Sequence, residues 1–266
     1  MNDFIIRKDR KIGDKVFEIY GDTRDDCVFN NIKHDLNYEN HMIEFYKELL
    51  NKDSVCVDVG ANIGILSFYM SLYTDNKIYA FEATKDNYLI LKKNIEVNNL
   101  NVIPINKALG NKSGTKSFTY DIKNGSNGSF LPKNNPEELS DKYVKVDVIT
   151  LDEFVEQEKI DKIDVLKMDV EGFETEVIEG AKNTIEKFSP DVITEYCPDM
   201  IEGSGFNSEE YYELLKKYYK YTYVITQQNM SLVRVHNYKQ LYNVLYNRSL
   251  GFDKIGDVFF TNKNIE

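Results

Sequence analysis

A chain of 266 residues, 42% hydrophobic and 29% charged, is long enough for one large α/β domain with decorations, and no linker marks off a second. Its 44 acidic residues against 33 lysines and arginines leave a net charge of −11 and no long basic run, which argues against a nucleic-acid substrate. Cys27, Cys56 and Cys197 are too dispersed for a zinc site or a disulfide framework. No apolar run approaches the ~18 residues of a membrane span, and the N-terminus MNDFIIRKDRKIGD lacks an export core, so a cytoplasmic location is expected.

Residues 4 to about 33 read as β-rich: FIIRKDRKIGDKVFEIY sets a Gly-Asp turn between two extended runs, predicting a hairpin. Residues 39–50 switch to helical spacing, with Met42, Phe45, Tyr46 and Leu49 on one face. Residues 1–50 are therefore expected to form a hairpin-and-helix extension, able to act as a cap, on a domain spanning 51–266. From residue 54 a strand–helix–strand rhythm begins. SVCVDVG is a β-branched strand, and GILSFYMSLY a helix with Ile65, Phe68, Tyr69 and Leu72 on one stripe. KIYAFEA is the next strand, and Thr84 is placed to cap a helix through Tyr88, Leu91 and Ile95. NVIPINKAL reads as a third strand, joined through crossovers to a parallel sheet.

Between 111 and 150, GTKSFTYDI and YVKVDVITL read as strands flanking a long polar loop, of which 121–140 could gate an acceptor. IDVLKMDVEG, a helix at about 173–187, the strand DVITEYC and a helix near 208–219 capped by Ser208 follow. YTYVIT and GDVFFTN close the chain as successive strands with no helical pattern evident between them. The predicted fold is α/β, a doubly wound and mostly parallel sheet with one antiparallel strand at or near an edge.

The chemistry concentrates at three strand ends. In VCVDVGANIG a buried strand ends in Asp58, and Gly60 and Gly64 open a tight turn into a helix, where backbone can approach a ligand closely. Asp58 could anchor that turn or accept from an ammonium group. Dinucleotide enzymes need G-x-G-x-x-G, but Asn62 stands at the middle position. Glu82, about twenty residues on, is an acid able to bind both hydroxyls of a ribose. Asp58 and Glu82 together describe a site for an adenosine-type cofactor. In IDVLKMDVEGFETEVIEGA, alternation sends Lys167, Asp169 and Glu171 to one side if the strand continues that far, with Glu195 on the neighbouring strand end. Three charged groups beside Val, Leu and Met are costly unless paired or functional. A Lys–Asp ion pair with a helix-capping Glu171 is the bland alternative.

From about residue 38 onward the chain resembles the FkbM family of methyltransferases. The matching pieces are VDVGANIG, FEATKDNYLILKKNIEVNNL, NKALGNKSG, VITLDEF, IDVLKMDVEGFETEVIEGA and DVFFTNK. The resemblance implies a seven-stranded Rossmann-like methyltransferase fold, S-adenosylmethionine as donor, and an oxygen acceptor on a sugar or secondary metabolite. It suggests Asp58, Gly60, Ala61, Asn62 and Gly64 around the methionine end of the donor. Glu82 and Ala83 fall at the ribose, Ala108 near the adenine, and Asp169 at the same pocket. Family members usually carry Phe-Glu-Pro where this chain has Phe81-Glu82-Ala83, which keeps the acid.

A hydroxyl acceptor needs a general base or a metal. Asp169 and Glu171 are the expected bases, oriented by Lys167 or Glu195. A divalent cation held by Asp169 and Glu195 is the alternative. Of His34, His41 and His236, His41 is the favoured catalytic candidate, since the segment before the first strand often closes over the donor in such a fold. A nicotinamide-dependent oxidoreductase or epimerase is disfavoured by Asn62, and the Tyr212/Lys216 spacing falls on a late amphipathic helix. An idle cofactor-binding module is the third reading, and the retained acids argue against it. The acceptor, the base and the oligomeric state are not fixed by the sequence.

Overall fold

The computed structural model describes residues 4–265 except Gly13, Asn37, 120–128, 131–142, 228–230, 248–250 and Asp253. The chain begins with the expected hairpin, β1 (Ile5–Ile12) and β2 (Lys15–Asp22), an antiparallel pair standing as its own sheet; Gly13 of its turn lies outside the described residues. Helices α1 (Val28–Lys33) and α2 (His41–Leu49) follow, and α2 buries Met42, Phe45 and Tyr46 as the spacing requires. The extension has no separate core. Phe17 stacks on Phe68 with ring centroids 5.5 Å apart, Phe45 meets Phe259 edge-on at 5.1 Å, and all four belong to one buried cluster with Leu91.

The central sheet has at its heart β3 (Cys56–Val59), flanked on one side by β4 (Ile78–Phe81) and β5 (Val102–Ile105). On the other side come β10 (Val165–Met168) and β11 (Asp191–Tyr196). All five run parallel, and β3, β4 and β10 are buried at every residue, as a sheet covered on both faces demands. Helix α3 (Ile65–Ser71) is buried nearly all round because the extension covers the face it turns away from the sheet. Beyond β11 the sheet continues through β14 (Gly256–Thr261), antiparallel, and β12 (Tyr221–Ile225). That makes the expected seven strands with one reversed. An eighth, β13 (Leu232–Val235), then extends the edge antiparallel to β12.

Several local expectations need correction. NVIPINKAL is not one strand. After β5 the Asn106 amide donates to the carbonyls of Glu82 (2.9 Å) and Ala83 (3.1 Å), and the chain leaves for β6 (Ala108–Leu109). β6 joins a second sheet with β7 (Gly114–Thr119), β8 (Ser129–Phe130) and β9 (Tyr143–Ile149), in the order β6-β9-β7-β8. Apart from Ser129 and Phe130, the expected gating loop lies outside the described residues. The helix expected over 173–187 is two, α6 (Glu174–Glu179) and α7 (Lys182–Phe188), broken at Gly180, where a Cβ would stand 2.0 Å from the Gly110 carbonyl. The helix after β11 is also preceded by a short one, α8 (Pro198–Gly203), and α9 (Ser208–Lys216) is capped by Asn207, not Ser208; the Ser208 hydroxyl instead bonds Glu202 and Tyr238. Between β12 and β14 stand β13 and a helix, α10 (Tyr238–Leu245), whose tyrosine-rich face obscured its period.

Helix α4 (Lys85–Asn98) ties the extension to this sheet by an unusual edge. Asn94 accepts from the Tyr20 amide (2.7 Å) and donates to the Tyr20 carbonyl (3.0 Å), while Asn98 does the same for Glu18 (2.9 and 2.8 Å). Two side-chain amides thus replace a missing strand partner for β2. Asn94 is fully buried and also donates to Ile63. Asn94→Leu should therefore cost about 2–4 kcal/mol, read as a fall in the denaturation midpoint, because it leaves buried backbone groups unpaired.

Candidate active site

The carboxyl ends of β3, β4 and β10 converge on a cavity of about 900 Å³, counting its open mouth. After β3 the backbone turns sharply. The amides of Gly60 and Ala61 both donate to the Phe81 carbonyl at 3.0 and 2.9 Å, which locks the turn to the end of β4. Gly60 has φ +79°, and a Cβ there would lie 1.8 Å from the Asp169 carbonyl oxygen. Glycine is thus required because the backbones leaving β3 and β10 touch. Asn62 also sits at φ +52°, and its amide donates to Glu82 Oε2 at 2.9 Å. Gly64 opens α3 at φ +100°.

Glu82 is buried and its other oxygen accepts from the amide (2.8 Å) and hydroxyl (2.7 Å) of Thr84. Thr84 therefore holds the acid; its hydroxyl makes no capping bond to α4. Burial pushes the Glu82 carboxyl up, and the bonds from Thr84 and Asn62 work against that push. The carboxylate is fixed at the cavity wall with Gly60, Ala61, Asn62, Ala83 and Ala108 beside it. Ile65, Phe81, Leu109 and Phe118 make much of the rest of the lining apolar, and the extension contributes Val28 and Tyr38.

Asp58 and Gly64 do not line this cavity. Asp58 is completely buried and sits across the β3–β10 ladder from Lys167. Its Oδ1 lies 3.3 Å from the Lys167 ammonium, and its Oδ2 accepts from the Ser67 hydroxyl at 2.5 Å. The same ammonium is 3.6 Å from Asp169 Oδ2. Burial opposes the lysine's charge, but Asp58 and Asp169 more than offset it, so the ammonium is held protonated. The Lys–Asp pair weighed as the bland alternative is thus present, and it leads directly to Asp169 at the cavity.

Lys167, Asp169 and Glu171 all line the cavity, but strand alternation does not carry as far as Glu171: β10 ends at Met168, and Glu171 stands in the following turn at φ +57°. Glu195 does not line it, but carboxylate oxygens of Asp169, Glu171 and Glu195 lie within 4.8 Å of one another. Burial first, then Asp169 and Glu174, pushes Glu171 up to about 9. Burial and Asp169 likewise raise Glu195, which hydrogen-bonds Asp169. Glu171 keeps its proton at neutral pH, and Asp169 is the carboxylate with an ammonium beside it. Glu171 is not the cap of the next helix: that position is Phe173, with no side-chain capping bond, and Glu174 at the helix start accepts from the amides of Val170 (3.0 Å) and Gly172 (3.3 Å) in the turn before it.

Sequence reasoning singled out His41 but missed Glu39 and Asp257, which the extension and the last strand bring beside it. Asp257 on β14 pairs in register with Glu195. His41 Nε2 lies 2.7 Å from Asp257 Oδ2 and 3.7 Å from Glu39 Oε2. Burial works against a charge on His41, but its bond to Asp257 raises it. His34 and His236 are exposed, and neither they nor the Tyr212/Lys216 pair line the cavity.

With this geometry in place, comparison with known proteins gives a direct answer. The family profile described as "Methyltransferase FkbM domain" matches residues 58–246. The chain belongs to the FkbM methyltransferase family. "Hexuronic acid methyltransferase AglP" of Haloferax volcanii is 32% identical over 153 residues, covering 57% of this chain and 60% of that one. "Methyltransferase sdnD" of Sordaria araneosa is 30% identical over 188 residues, covering 57% of this chain and 73% of its own length. A crystal structure of methyltransferase FkbM from Methylobacillus flagellatus aligns with 82% of this chain and 50% of its own, at 15% identity and a TM-score of 0.48. The chain therefore spans about 60% of the length of the Haloferax relative. Among the described residues no helix is long and apolar enough to cross a membrane.

Gly60→Ala should destabilise the fold by about 3 kcal/mol or more, since both atoms that clash are fixed by the backbone. Denaturant unfolding measures it, and an alanine tolerated within 1 kcal/mol would contradict the contact between the two turns.

Proposed function

We propose that this chain transfers a methyl group from S-adenosylmethionine to a hydroxyl of a sugar, glycan or natural product. The observation carrying this reading is the placement of two differently held acids, Glu82 and Asp169, on one cavity at the ends of β4 and β10. The residues fit the donor. Glu82 presents a fixed carboxylate for a diol, apolar walls suit an adenine, and the Gly60–Asn62 turn leaves room for the aminoacyl end. A dinucleotide fits less well. Asn62 Oδ1 accepts from the Ile63 amide at 2.8 Å, which occupies a donor that a pyrophosphate would need at this helix start.

When bound, S-adenosylmethionine supplies an electrophilic methyl group. The chain's own residues do the rest. Asp169 accepts the proton from the acceptor hydroxyl, and Lys167 holds Asp169 in place through the pair it shares with Asp58. Glu171, protonated at neutral pH, donates to an acceptor oxygen. Tyr38 and Phe118 close the cavity against water. Residues 1–50 serve as cap and 51–266 as the transferase domain. A reducing cytoplasm suits the three free thiols.

The sugar class draws on the Haloferax relative, whose name gives a hexuronic acid as its acceptor. The net charge of −11 supports a small acceptor over nucleic acid. A second reading keeps the transfer but places a hard divalent cation on Asp169, Glu171 and Glu195, whose oxygens are close enough to share one. Activity that survives thorough chelation removes that version.

The test is release of S-adenosylhomocysteine from S-adenosylmethionine with a panel of neutral sugars, uronic acids and hydroxylated metabolites. An accepted substrate should lose about 10²-fold or more in kcat with Asp169→Asn, with KM changed little. Full turnover by that variant would remove Asp169 as the base.

A further inference from the structure

Beside the cavity, Glu39, His41 and Asp257 bring one imidazole nitrogen and two carboxylate oxygens within 4.8 Å of one another. They come from opposite ends of the chain. Glu39 and His41 lie at the start of α2 in the extension, and Asp257 lies on the last strand. His41 and Asp257 are both less than a tenth exposed. Glu39 adopts φ +53°, a conformation a β-carbon disfavours.

Two carboxylates face one imidazole, and that imidazole already bonds Asp257. Burial, with Asp257 beside it, pushes the Glu39 carboxyl up to about 8, so the cluster balances by holding a proton that a bound cation would displace. A second observation is independent of these three residues. The Tyr46 hydroxyl is completely buried and has no hydrogen-bond partner among the described residues. The charges acting on it are those of Asp58, then Asp257, with Glu39 also contributing. An enclosed hydroxyl with no partner among the described residues, in the field of Asp58 first and then of Asp257 and Glu39, is a place for a bound water.

We propose that Glu39, His41 and Asp257 bind one divalent first-row transition ion, of the Mn²⁺ or Zn²⁺ class, which clasps the N-terminal extension to the last strand of the sheet. One nitrogen and two carboxylate oxygens form a mixed donor set that such ions accept, whereas Mg²⁺ and Ca²⁺ prefer oxygen throughout. Two positive charges cancel the two carboxylates while His41 remains neutral. Coordination water on the ion gives the Tyr46 hydroxyl its partner. The clasp has a position that matters, because Tyr38, next to Glu39, lines the cavity. That link to the donor site rests on the function proposed above; ion binding itself does not.

The experiment uses the full chain, stripped with chelator and dialysed, then titrated with Mn²⁺ and read by pulsed electron paramagnetic resonance. One ion per chain is expected, with nitrogen coupling from a single imidazole. His41→Gln should abolish the coupling and weaken binding at least about 30-fold, and Asp257→Asn should weaken it similarly. Glu171→Gln and His236→Gln should keep the coupled ion. Because a variant could fail to fold, a second measurement uses the unaltered protein: Zn²⁺ at 100-fold over its Kd should raise Tm by about 5 °C and slow amide exchange across residues 38–46. Failure to bind Mn²⁺ or Zn²⁺, nitrogen coupling that persists in His41→Gln, or binding lost in Glu171→Gln but kept in His41→Gln would overturn the clasp. None of these outcomes bears on whether the cavity takes S-adenosylhomocysteine, which is measured separately.

Discussion

The buried ammonium of Lys167 is the interaction around which the site is organised. It spans the β3–β10 ladder between Asp58, which has no exposure, and Asp169 at the cavity. A carboxylate and an ammonium removed from water are tolerable only together, so the two strands must keep register at their carboxyl ends. That register brings the Gly60 turn against the Asp169 carbonyl, and only glycine fits there. The turn in turn hands an amide to Glu82. The cofactor-side acid and the chemistry-side acid are thus two ends of one chain of contacts, and Asp58 contributes by anchoring it from beneath.

Much of this was legible in the sequence, for identifiable reasons. Buried β-branched runs ending in Asp58, Glu82 and Asp169 marked three strand ends, and parallel topology puts such ends on one edge. The helix break at Gly180 was not legible, because the Gly110 backbone that forces it is distant in sequence. The split of NVIPINKAL depends on Asn106 bonding two carbonyls of another segment, and no local pattern announces that. Thr84 and Ser208 looked like helix caps, and both hydroxyls were drawn instead to tertiary partners. His41 could be suspected from its place before the first strand. Its partner Asp257 could not, since the two lie 216 residues apart.

The extension is integral to the site. Asn94 and Asn98 complete the hydrogen bonding of β2, aromatic packing from Phe17 and Phe45 joins it to the central core, and Tyr38 then reaches the cavity. Beyond Asp169 and Glu171 at the cavity stand Glu195, Asp257 and Glu39, and with Glu171 holding its proton the charge facing an acceptor turns on Asp169 and its ammonium partner Lys167.

Calorimetric titration of S-adenosylhomocysteine into the full chain tests the central claim most directly, with NAD run alongside and Glu82→Ala as the control. The account predicts micromolar binding of the thioether, at least about tenfold weaker in the variant, and no binding of NAD. An absence of heat with S-adenosylhomocysteine, or binding of NAD in its place, would contradict it.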